Sequence, residues 1–375
     1  MKRITLAIAV VLVVALALAA CTSKPSGGSS APPAGGSAGA SAGASAGGSS
    51  AAPSTGGGTL TTIGYNMGSD SIEFFVNLLG GMQAQSDKNG IKLLTVNSNF
   101  DPEKIMSNTE QLLNQGAQVI VDFNVNAEVG GNIVDVVKQR GGAGTISVDV
   151  KYVNAAGTDQ AWFMGIDNQR AGELAGEAIG DALKSQNRTL EYLVLFFNSE
   201  NGDLVKKRMG GAIDGLKTKG VTLQDNQIEW IDMGGGGSDT TIQGRDKFSA
   251  WLTAHPDVKT VATVAVNDET TQGLYAAAET ANRLQDCLMT SHNVSEQFKQ
   301  LALQGNDGKT WLGSVAYHPE MYGEYIVPLA MDIFAGKNTD PTKDTLMSPA
   351  WVPMSKDAVT AYAADFDKYT AGWKK

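Results

Sequence analysis

Polar side chains follow several apolar runs in the body of the chain, and each run has the length and composition of a β-strand. They are Asn66, Asp70, Asn124, Asp149, Asn198, Asn267, Asn293 and Tyr317. Asparagine and aspartate hydrogen-bond to vicinal hydroxyl groups, and aromatic side chains such as Phe74 and Phe75 cover apolar ring faces. Taken singly, asparagine and aspartate favour turns and helix caps. Their repetition after successive strands predicts a binding site for a small hydroxylated molecule.

Catalysis is the competing interpretation. Residues 59–375 contain no Gly-x-Ser-x-Gly, His-Glu-x-x-His, Gly-x-x-x-x-Gly-Lys or Cys-x-x-Cys motif. The three histidines, His255, His292 and His318, lack the spacing of metal ligands, so we expect neither a metal nor a cofactor. Cys287 lies in an apolar stretch that favours a buried role. We therefore expect no enzyme, with an unrecognised hydrolase as the remaining catalytic alternative.

Length and charge narrow the class of protein. The chain has 375 residues, of which 42% are hydrophobic. At ~100–200 residues per domain, this length suggests about two domains. Acidic residues number 39 against 29 lysines and arginines, for a net charge of −10. An acidic chain without a basic run is poorly matched to a phosphate backbone, which argues against a nucleic-acid partner.

The amino-terminal segment has the pattern of a secretion signal. Lys2 and Arg3 precede an apolar run over residues 4–18, and Leu18-Ala19-Ala20-Cys21 follows. The run is short for a membrane span, and small residues before a cysteine resemble a bacterial lipobox. We therefore expect residues 1–20 to be a lipoprotein signal peptide and Cys21 to carry the lipid. An uncleaved anchor helix is the alternative.

Residues 21–58 are expected to form the lipidated cysteine and a tether. From position 22 onward the segment contains only Gly, Ser, Ala and Pro besides Thr22, Lys24 and Thr55. Such a composition cannot bury a core and is typical of a flexible linker. The segment would place a globular body outside the cell membrane, at its outer face.

The body, from residue 60 onward, alternates strand and helix patterns. Predicted strands cover residues 60–66, 91–96, 117–123, 145–150, 191–197, 228–233, 260–266, 287–290 and 312–316. Helical spacing separates them, and the last predicted helix starts at Lys356. This rhythm predicts parallel sheets with helices on both faces, in two successive halves. Open parallel sheets bind ligands at the carboxyl ends of their strands, where the polar residues lie.

Several segments share an order and spacing that are specific to one family. They are Ile63-Gly64 with Phe74-Phe75-Val76, Val148-Asp149, Gly165-Ile166-Asp167-Asn168 with Arg170-Ala171-Gly172, Arg208 with Gly211, residues 252–258, and Asn267-Asp268 with Gly273. Over residues 60–347 the chain resembles a type I periplasmic binding protein of the ribose- and galactose-binding kind. Proteins of this kind are the substrate-binding components of ABC sugar importers.

The resemblance implies an α/β fold of two doubly wound parallel-sheet domains joined by a three-strand hinge. The first lobe would comprise residues 60–163 and 318–347. The second would comprise residues 164–317 and 348–375. A ligand would bind in the cleft between the lobes, and hinge closure would create the form that a membrane permease recognises.

The same resemblance implies roles for particular residues. Phe74 and Phe75 match the pair from which an aromatic ring packs on the sugar. Asp149 matches a carboxylate that takes paired hydroxyls, and Arg208 matches an arginine that reaches the ring oxygen and a hydroxyl. A surface charge paired with Asp203 or a neighbour is the alternative for Arg208. The other expected ligand-binding residues are Asp70, Asn124, Asn267, Asn293 and Tyr317.

Three segments depart from the family pattern, and Tyr317 stands where ribose binders carry another residue. Val150 stands where the family often has an arginine after the aspartate, and Ser291-His292-Asn293 replaces a common Gly-x-Asp. Ile72-Glu73 replaces an asparagine before the aromatic pair, and Tyr317 replaces the glutamine of ribose binders. These changes favour another pentose, a hexose, a polyol or a related signal molecule over unmodified ribose.

We therefore expect an extracytoplasmic, lipid-anchored, monomeric solute-binding protein. It would capture a small sugar or polyol and deliver it to an ABC permease. A ligand-binding lipoprotein that serves a membrane sensor is the alternative, since both roles need only ligand-gated closure.

Overall fold

The computed structural model describes residues 58–371, apart from residues 125–126, 155, 200–201, 235–239 and 307. The predictions on residues 1–57, which include the signal peptide, the lipidated Cys21 and nearly all of the tether, lie outside the described residues. Within the described ranges, no helix is long and apolar enough to cross a membrane.

The first lobe is built on a six-stranded parallel sheet. Its strands are β1 (Thr62–Met67), β2 (Lys92–Asn97), β3 (Val119–Asp122), β4 (Gly144–Val148), β5 (Trp162–Ile166) and β11 (Thr345–Met347). Their order across the sheet is β2-β1-β3-β4-β5-β11. The helices of this lobe are α1 (Glu73–Lys88), α2 (Pro102–Asn114), α3 (Ala127–Gln139) and α9 (Tyr322–Phe334).

The second lobe contains a second six-stranded sheet. Its strands are β6 (Tyr192–Phe197), β7 (Ile228–Asp232), β8 (Val261–Ala265), β9 (Cys287–His292), β10 (Trp311–Ala316) and β12 (Ala350–Pro353). Their order is β7-β6-β8-β9-β10-β12, and only β12 runs antiparallel to its neighbour. The helices are α4 (Asn168–Ser185), α5 (Gly202–Thr218), α6 (Thr240–Ala254), α7 (Asp268–Thr280), α8 (Glu296–Leu303) and α10 (Lys356–Thr370).

The predicted class of fold, two α/β domains with parallel sheets, is confirmed. Every residue of β3 and of β8 is buried, as expected for central strands that helices cover on both faces. Helix α2 begins after Asp101, whose side chain accepts hydrogen bonds from the amides of Glu103 and Lys104, and Pro102 occupies the first turn. Separate apolar cores pack around the two sheets.

The chain passes between the lobes three times. The first passage follows Ile166 at the end of β5, the second follows Ala316 at the end of β10, and the third joins Met347 to Ala350. The expected lobe boundary between residues 163 and 164 falls inside β5, which belongs wholly to the first sheet. The strand pattern missed β5 because only its five residues, Trp162–Ile166, separate a polar loop from the Asp167 cap of α4.

Helices α4 and α5 pack closely because glycines line their contact. A Cβ at Gly172 would lie 1.9 Å from the carbonyl oxygen of Arg208, and one at Gly176 would lie 2.1 Å from that of Ala212. A Cβ at Gly215 would likewise meet the Glu173 carbonyl oxygen at 2.1 Å. This close approach fixes the position of α5, which carries Arg208 towards the cleft.

We predict that Gly176→Ala lowers the free energy of unfolding by at least about 2 kcal/mol, because the added methyl group would force two backbones apart. Gly210→Ala is the matched control on α5, since a Cβ there would meet nothing within 4 Å. Its higher helix propensity should leave stability unchanged or raise it by up to about 1 kcal/mol. Urea unfolding of both variants measures the difference, and equal stabilities would contradict the packing.

Candidate functional site

A cavity of about 160 Å³ lies between the lobes, at the carboxyl ends of the central strands. Its lining residues are Ile72, Phe74, Phe75, Phe100, Phe123, Asp149, Val150, Leu204, Arg208, Val266, Asn267, Glu269, Asn293 and Tyr317. Both lobes contribute to this wall, so a molecule inside it would contact both. We call this space the cleft cavity.

Asp149 is the first-lobe carboxylate of the cleft cavity. It follows β4 with a left-handed φ of 58°, a conformation rare outside glycine, and it is buried. Its Oδ1 accepts a hydrogen bond from the Ile166 amide at 3.1 Å, and the Tyr322 hydroxyl lies 3.0 and 3.1 Å from its two oxygens. Burial raises the pKa of Asp149 to about 6, although these hydrogen bonds and the Arg208 charge oppose the rise.

Arg208 faces the cavity from helix α5 of the second lobe. Its Nε and Nη2 donate to Asn168 Oδ1 at 3.1 and 2.8 Å, and Nη1 donates to the Val266 carbonyl at 2.6 Å. The guanidinium lies 4.8 Å from the centre of the Tyr317 ring. Arg208 is buried, so the alternative of a surface charge is wrong. The side chain of Asp203 lies outside the described part of the chain.

Ile166 connects these two charged groups through its backbone. Its amide donates to Asp149, and its carbonyl accepts a hydrogen bond from Asn168 Nδ2 at 3.2 Å. Asn168 in turn holds two nitrogens of Arg208. Because Ile166 ends β5 at the first passage between the lobes, the hinge itself positions both charges. The sequence analysis did not single out Asn168.

An aromatic cluster forms the first-lobe wall. The Phe75 ring meets Phe123 edge-on at 4.6 Å between centroids and Phe100 at 5.5 Å. Phe74 lies edge-on to Phe75 at 5.2 Å and to Tyr322 at 5.7 Å. Such packing leaves ring faces and edges available to a ligand ring. The sequence analysis found only Phe74 and Phe75, because they match the aromatic pair of the family, whereas Phe100 and Phe123 reach the wall from other segments.

Two asparagines and a glutamate complete the second-lobe wall. Asn267 caps α7, so its Oδ1 is already bonded to the Thr270 amide at 2.9 Å and hydroxyl at 2.6 Å. Asn293 follows β9 with a φ of 109°. Glu269 is mostly buried, and burial together with the neighbouring Asp268 raises its pKa to about 7. Among the residues that the structure describes, the Glu269 carboxylate has no ion-pair partner.

Seven of the nine predicted ligand-binding residues line the cleft cavity: Phe74, Phe75, Asp149, Arg208, Asn267, Asn293 and Tyr317. The other two, Asp70 and Asn124, are not among the residues that line it. Asp70 is exposed in the loop between β1 and α1 and does not reach the cavity. Asn124 is fully buried, two residues after the end of β3.

Glu269 is the polar lining residue that the sequence analysis missed. It lies two positions after Asn267, in the first turn of α7, so its position after β8 was a usable signal. The intervening Asp268 points into the protein, where the hydroxyls of Ser291 and Ser314 and the Ser295 amide donate to it. Burial raises its pKa to about 6. Asp268 is therefore a structural carboxylate beside the cavity.

Glu73 joins the two lobes next to the cavity. Its Oε2 accepts a hydrogen bond from the Glu296 amide at 3.1 Å, and its Oε1 lies 3.7 Å from Lys299 Nζ. Glu73 begins α1 in the first lobe, whereas both partners belong to α8 in the second. These contacts link α1 of the first lobe to α8 of the second in the arrangement described here.

Within the described ranges, no group of three or more histidine, cysteine, aspartate or glutamate residues could hold a metal ion. His292 is buried, and burial lowers its pKa to about 3, so it stays neutral. Cys287 is buried too, and its thiol pKa is raised to about 12.

The comparison with known protein families agrees with this architecture, in which a cavity lies between the strand ends of two six-stranded sheets. The model of the periplasmic binding protein domain matches residues 63–338. The chain belongs to the periplasmic binding protein family. Membership implies an extracytoplasmic location, and the homologous proteins are solute-binding proteins rather than enzymes.

Relatives of this periplasmic binding protein include sugar-import components. It is 24% identical over 281 residues to the ribose import binding protein of Bacillus subtilis, covering 75% of this chain and 84% of that protein. The Escherichia coli L-arabinose-binding periplasmic protein is 25% identical over 251 residues, covering 65% of this chain and 73% of that protein.

Solved structures share the fold of this periplasmic binding protein. A galactofuranose binding protein superposes with a TM-score of 0.66 and 16% identity, covering 83% of this chain and 99% of the other. The Caulobacter myo-inositol binding protein superposes with a TM-score of 0.63 and 17% identity, covering 81% and 95%. The type I two-lobe fold is therefore shown for this chain.

We predict that Asp149→Asn stabilises the unliganded protein at pH 8 by up to about 3 kcal/mol. Burial raises the pKa of Asp149 from 3.8 in the unfolded chain to about 6 in the folded protein. Ionisation of Asp149 therefore lowers the free energy of unfolding. The full loss is present above pH 6, and there is no loss below pH 3.8. The gain should therefore disappear at pH 4. Urea unfolding at both values measures it, with exposed Asp70→Asn as the control. A gain of the same size at pH 4 would contradict a buried charge.

Proposed function

We propose that the protein captures a small, neutral sugar or polyol in the cleft cavity and delivers it to an ABC permease. The observation that carries the proposal is that Asp149 of the first lobe and Arg208 of the second lobe both line the cleft cavity. At ~30 Å³ per water molecule, a volume of about 160 Å³ corresponds to about five waters. That space suits a single small ring with its hydroxyl groups.

The chemistry of the walls supports hydroxyl recognition. Above pH 6 the Asp149 carboxylate is an acceptor for two vicinal hydroxyls. Three of the five guanidinium N–H groups of Arg208 serve Asn168 and Val266, which leaves donors for a ring oxygen or a hydroxyl. The rings of Phe74 and Phe75 offer apolar surfaces for the C–H faces of a sugar.

The names of similar proteins support the same class of ligand. They include ribose import binding proteins, a solute-binding protein with bound D-allose, and a myo-inositol binding protein. The cavity of this chain differs in its apolar positions, where Ile72 and Val150 replace the polar residues that the resemblance leads one to expect. These side chains give ribose hydroxyls no partner, so we propose a different pentose, a hexose or a cyclic polyol.

Transport requires a change that the permease can detect. We propose that the lobes move as rigid bodies about the three passages between them, the first comprising β1–β5 with β11 and the second β6–β10 with β12. Ligand contacts to Asp149 on one lobe and Arg208 on the other would favour closure, since only the closed form offers both. The contacts of Glu73 with α8 would strengthen the closed form.

Ligand screening tests the proposed function. We expect one sugar or polyol among pentoses, hexoses, inositols and alditols to raise the unfolding midpoint of the purified protein by several degrees. At ~100 times its dissociation constant, a ligand adds about 2.7 kcal/mol. Asp149→Asn should weaken its binding by about 100-fold, because one charged acceptor of two hydroxyls is lost. Asp70→Asn should bind normally, and a response only to amino acids or nucleosides would refute the sugar class.

We also propose that lipid on Cys21 anchors the protein to the outer face of the cell membrane, supported by the Leu18-Ala19-Ala20-Cys21 sequence. A lipid would keep the protein beside its permease. Cys21→Ser should therefore move the protein from the membrane fraction to the medium or periplasm. Cys287→Ser is the matched control, because Cys287 is buried in the second lobe. Continued membrane association of Cys21→Ser would support an uncleaved anchor helix instead.

A further inference from the structure

A second, larger cavity of about 520 Å³ adjoins the cleft cavity. The two share Asp149, Val150 and Leu204 in their walls. The larger cavity extends from these residues towards the hinge, where Ile166 and Leu346 line it. We call this space the hinge cavity.

Both lobes line the hinge cavity, as they line the cleft cavity. The first lobe contributes Lys151, Val153, Phe163, Asp344 and Leu346, and the second contributes Asp167, Asn168, Gln169, Gly202 and Lys207. A group bound there would therefore also bridge the lobes. A group bound in the hinge cavity would therefore favour hinge closure in the same way as a group bound in the cleft cavity.

The lining combines the same kinds of groups that the cleft cavity presents. Lys151 pairs with Asp344 at 2.6 Å and with Asp159 at 3.2 Å, so its charge is balanced. Lys207 and Gln169 supply polar groups at the second-lobe side. Val153 and Leu346 are 38% and 49% exposed, so their apolar surfaces are accessible to a bound group. Hydroxyl partners next to apolar surfaces suit a second sugar ring.

Val150 marks the junction between the two cavities. Its short branched side chain belongs to both walls and presents no polar atom at their junction. Asp149 also borders both spaces, so a ligand hydroxyl bound to it would lie at the junction. A substituent on the neighbouring ring carbon could then continue into the hinge cavity.

We propose that the ligand is a disaccharide, with one ring in the cleft cavity and the second ring in the hinge cavity. This inference rests on the proposed function, because it assigns the first ring to Asp149 and Arg208. It goes further in assigning a separate subsite to Val153, Leu346 and Lys207. The combined space is far larger than one monosaccharide occupies.

Calorimetry with matched sugars tests the second subsite on the full mature protein. The probes are xylose with xylobiose, galactose with β-1,4-galactobiose, arabinose with arabinobiose, and glucose with both maltose and cellobiose. We expect one disaccharide to bind at least about 10-fold more tightly than its monosaccharide. If a monosaccharide binds and no disaccharide gains affinity, the second subsite is refuted while the proposed function stands. If no sugar binds, both are refuted.

Variants that fill the hinge cavity give the second measurement. Leu346→Trp and Val153→Trp replace exposed side chains, so the fold should tolerate them, and both lie outside the cleft cavity. Each should weaken disaccharide binding by at least about 10-fold and leave monosaccharide binding unchanged. Val76→Trp is the matched control, since Val76 is 48% exposed on α1 and borders neither cavity. Equal losses for both sugars would overturn the assignment.

Discussion

The site depends on holding a buried carboxylate ionised near neutral pH. Taking Asp149 out of water is costly, and its raised pKa records that cost. The Ile166 amide, the Tyr322 hydroxyl and the charge of Arg208 offset part of it. Arg208 is held in turn by Asn168, which is bonded to the Ile166 carbonyl. One residue at the hinge thus positions the ligand-facing charges of both lobes, so the geometry of the hinge and of the site cannot vary independently.

Much of the fold could be predicted because its central strands are continuous apolar runs. Strands β3, β6 and β8 are buried on both faces, so nearly all of their residues are apolar and the run can be recognised in the sequence. The hydrophobic pattern did not predict elements that are too short to show a periodicity. Strands β11 and β12 have only three and four residues at sheet edges, and their identity depends on pairing with distant strands. Helix α8 has eight residues and follows Ser295 directly, which gives its periodicity little room to show.

The candidate site was predictable to the extent that strand ends converge at one edge of a parallel sheet. That rule correctly predicted that Asp149, Asn267, Asn293 and Tyr317 line the cavity. It could not distinguish them from Asp70, because the direction of a loop is set by tertiary packing. It also missed Phe100 and Asn168, whose roles depend on contacts with other segments. The departures at Ile72 and Val150 were visible in the sequence, yet the place of both apolar side chains in the cavity wall is seen only in the folded chain.

A crystal structure of the full mature protein with its tightest-binding sugar would test the central claim most directly. The account predicts ligand hydroxyls within hydrogen-bond distance of both the Asp149 carboxylate and the Arg208 guanidinium, with a ligand ring face against Phe74 or Phe75. A sugar bound elsewhere, or held in the cleft without contact to either charged group, would contradict the account.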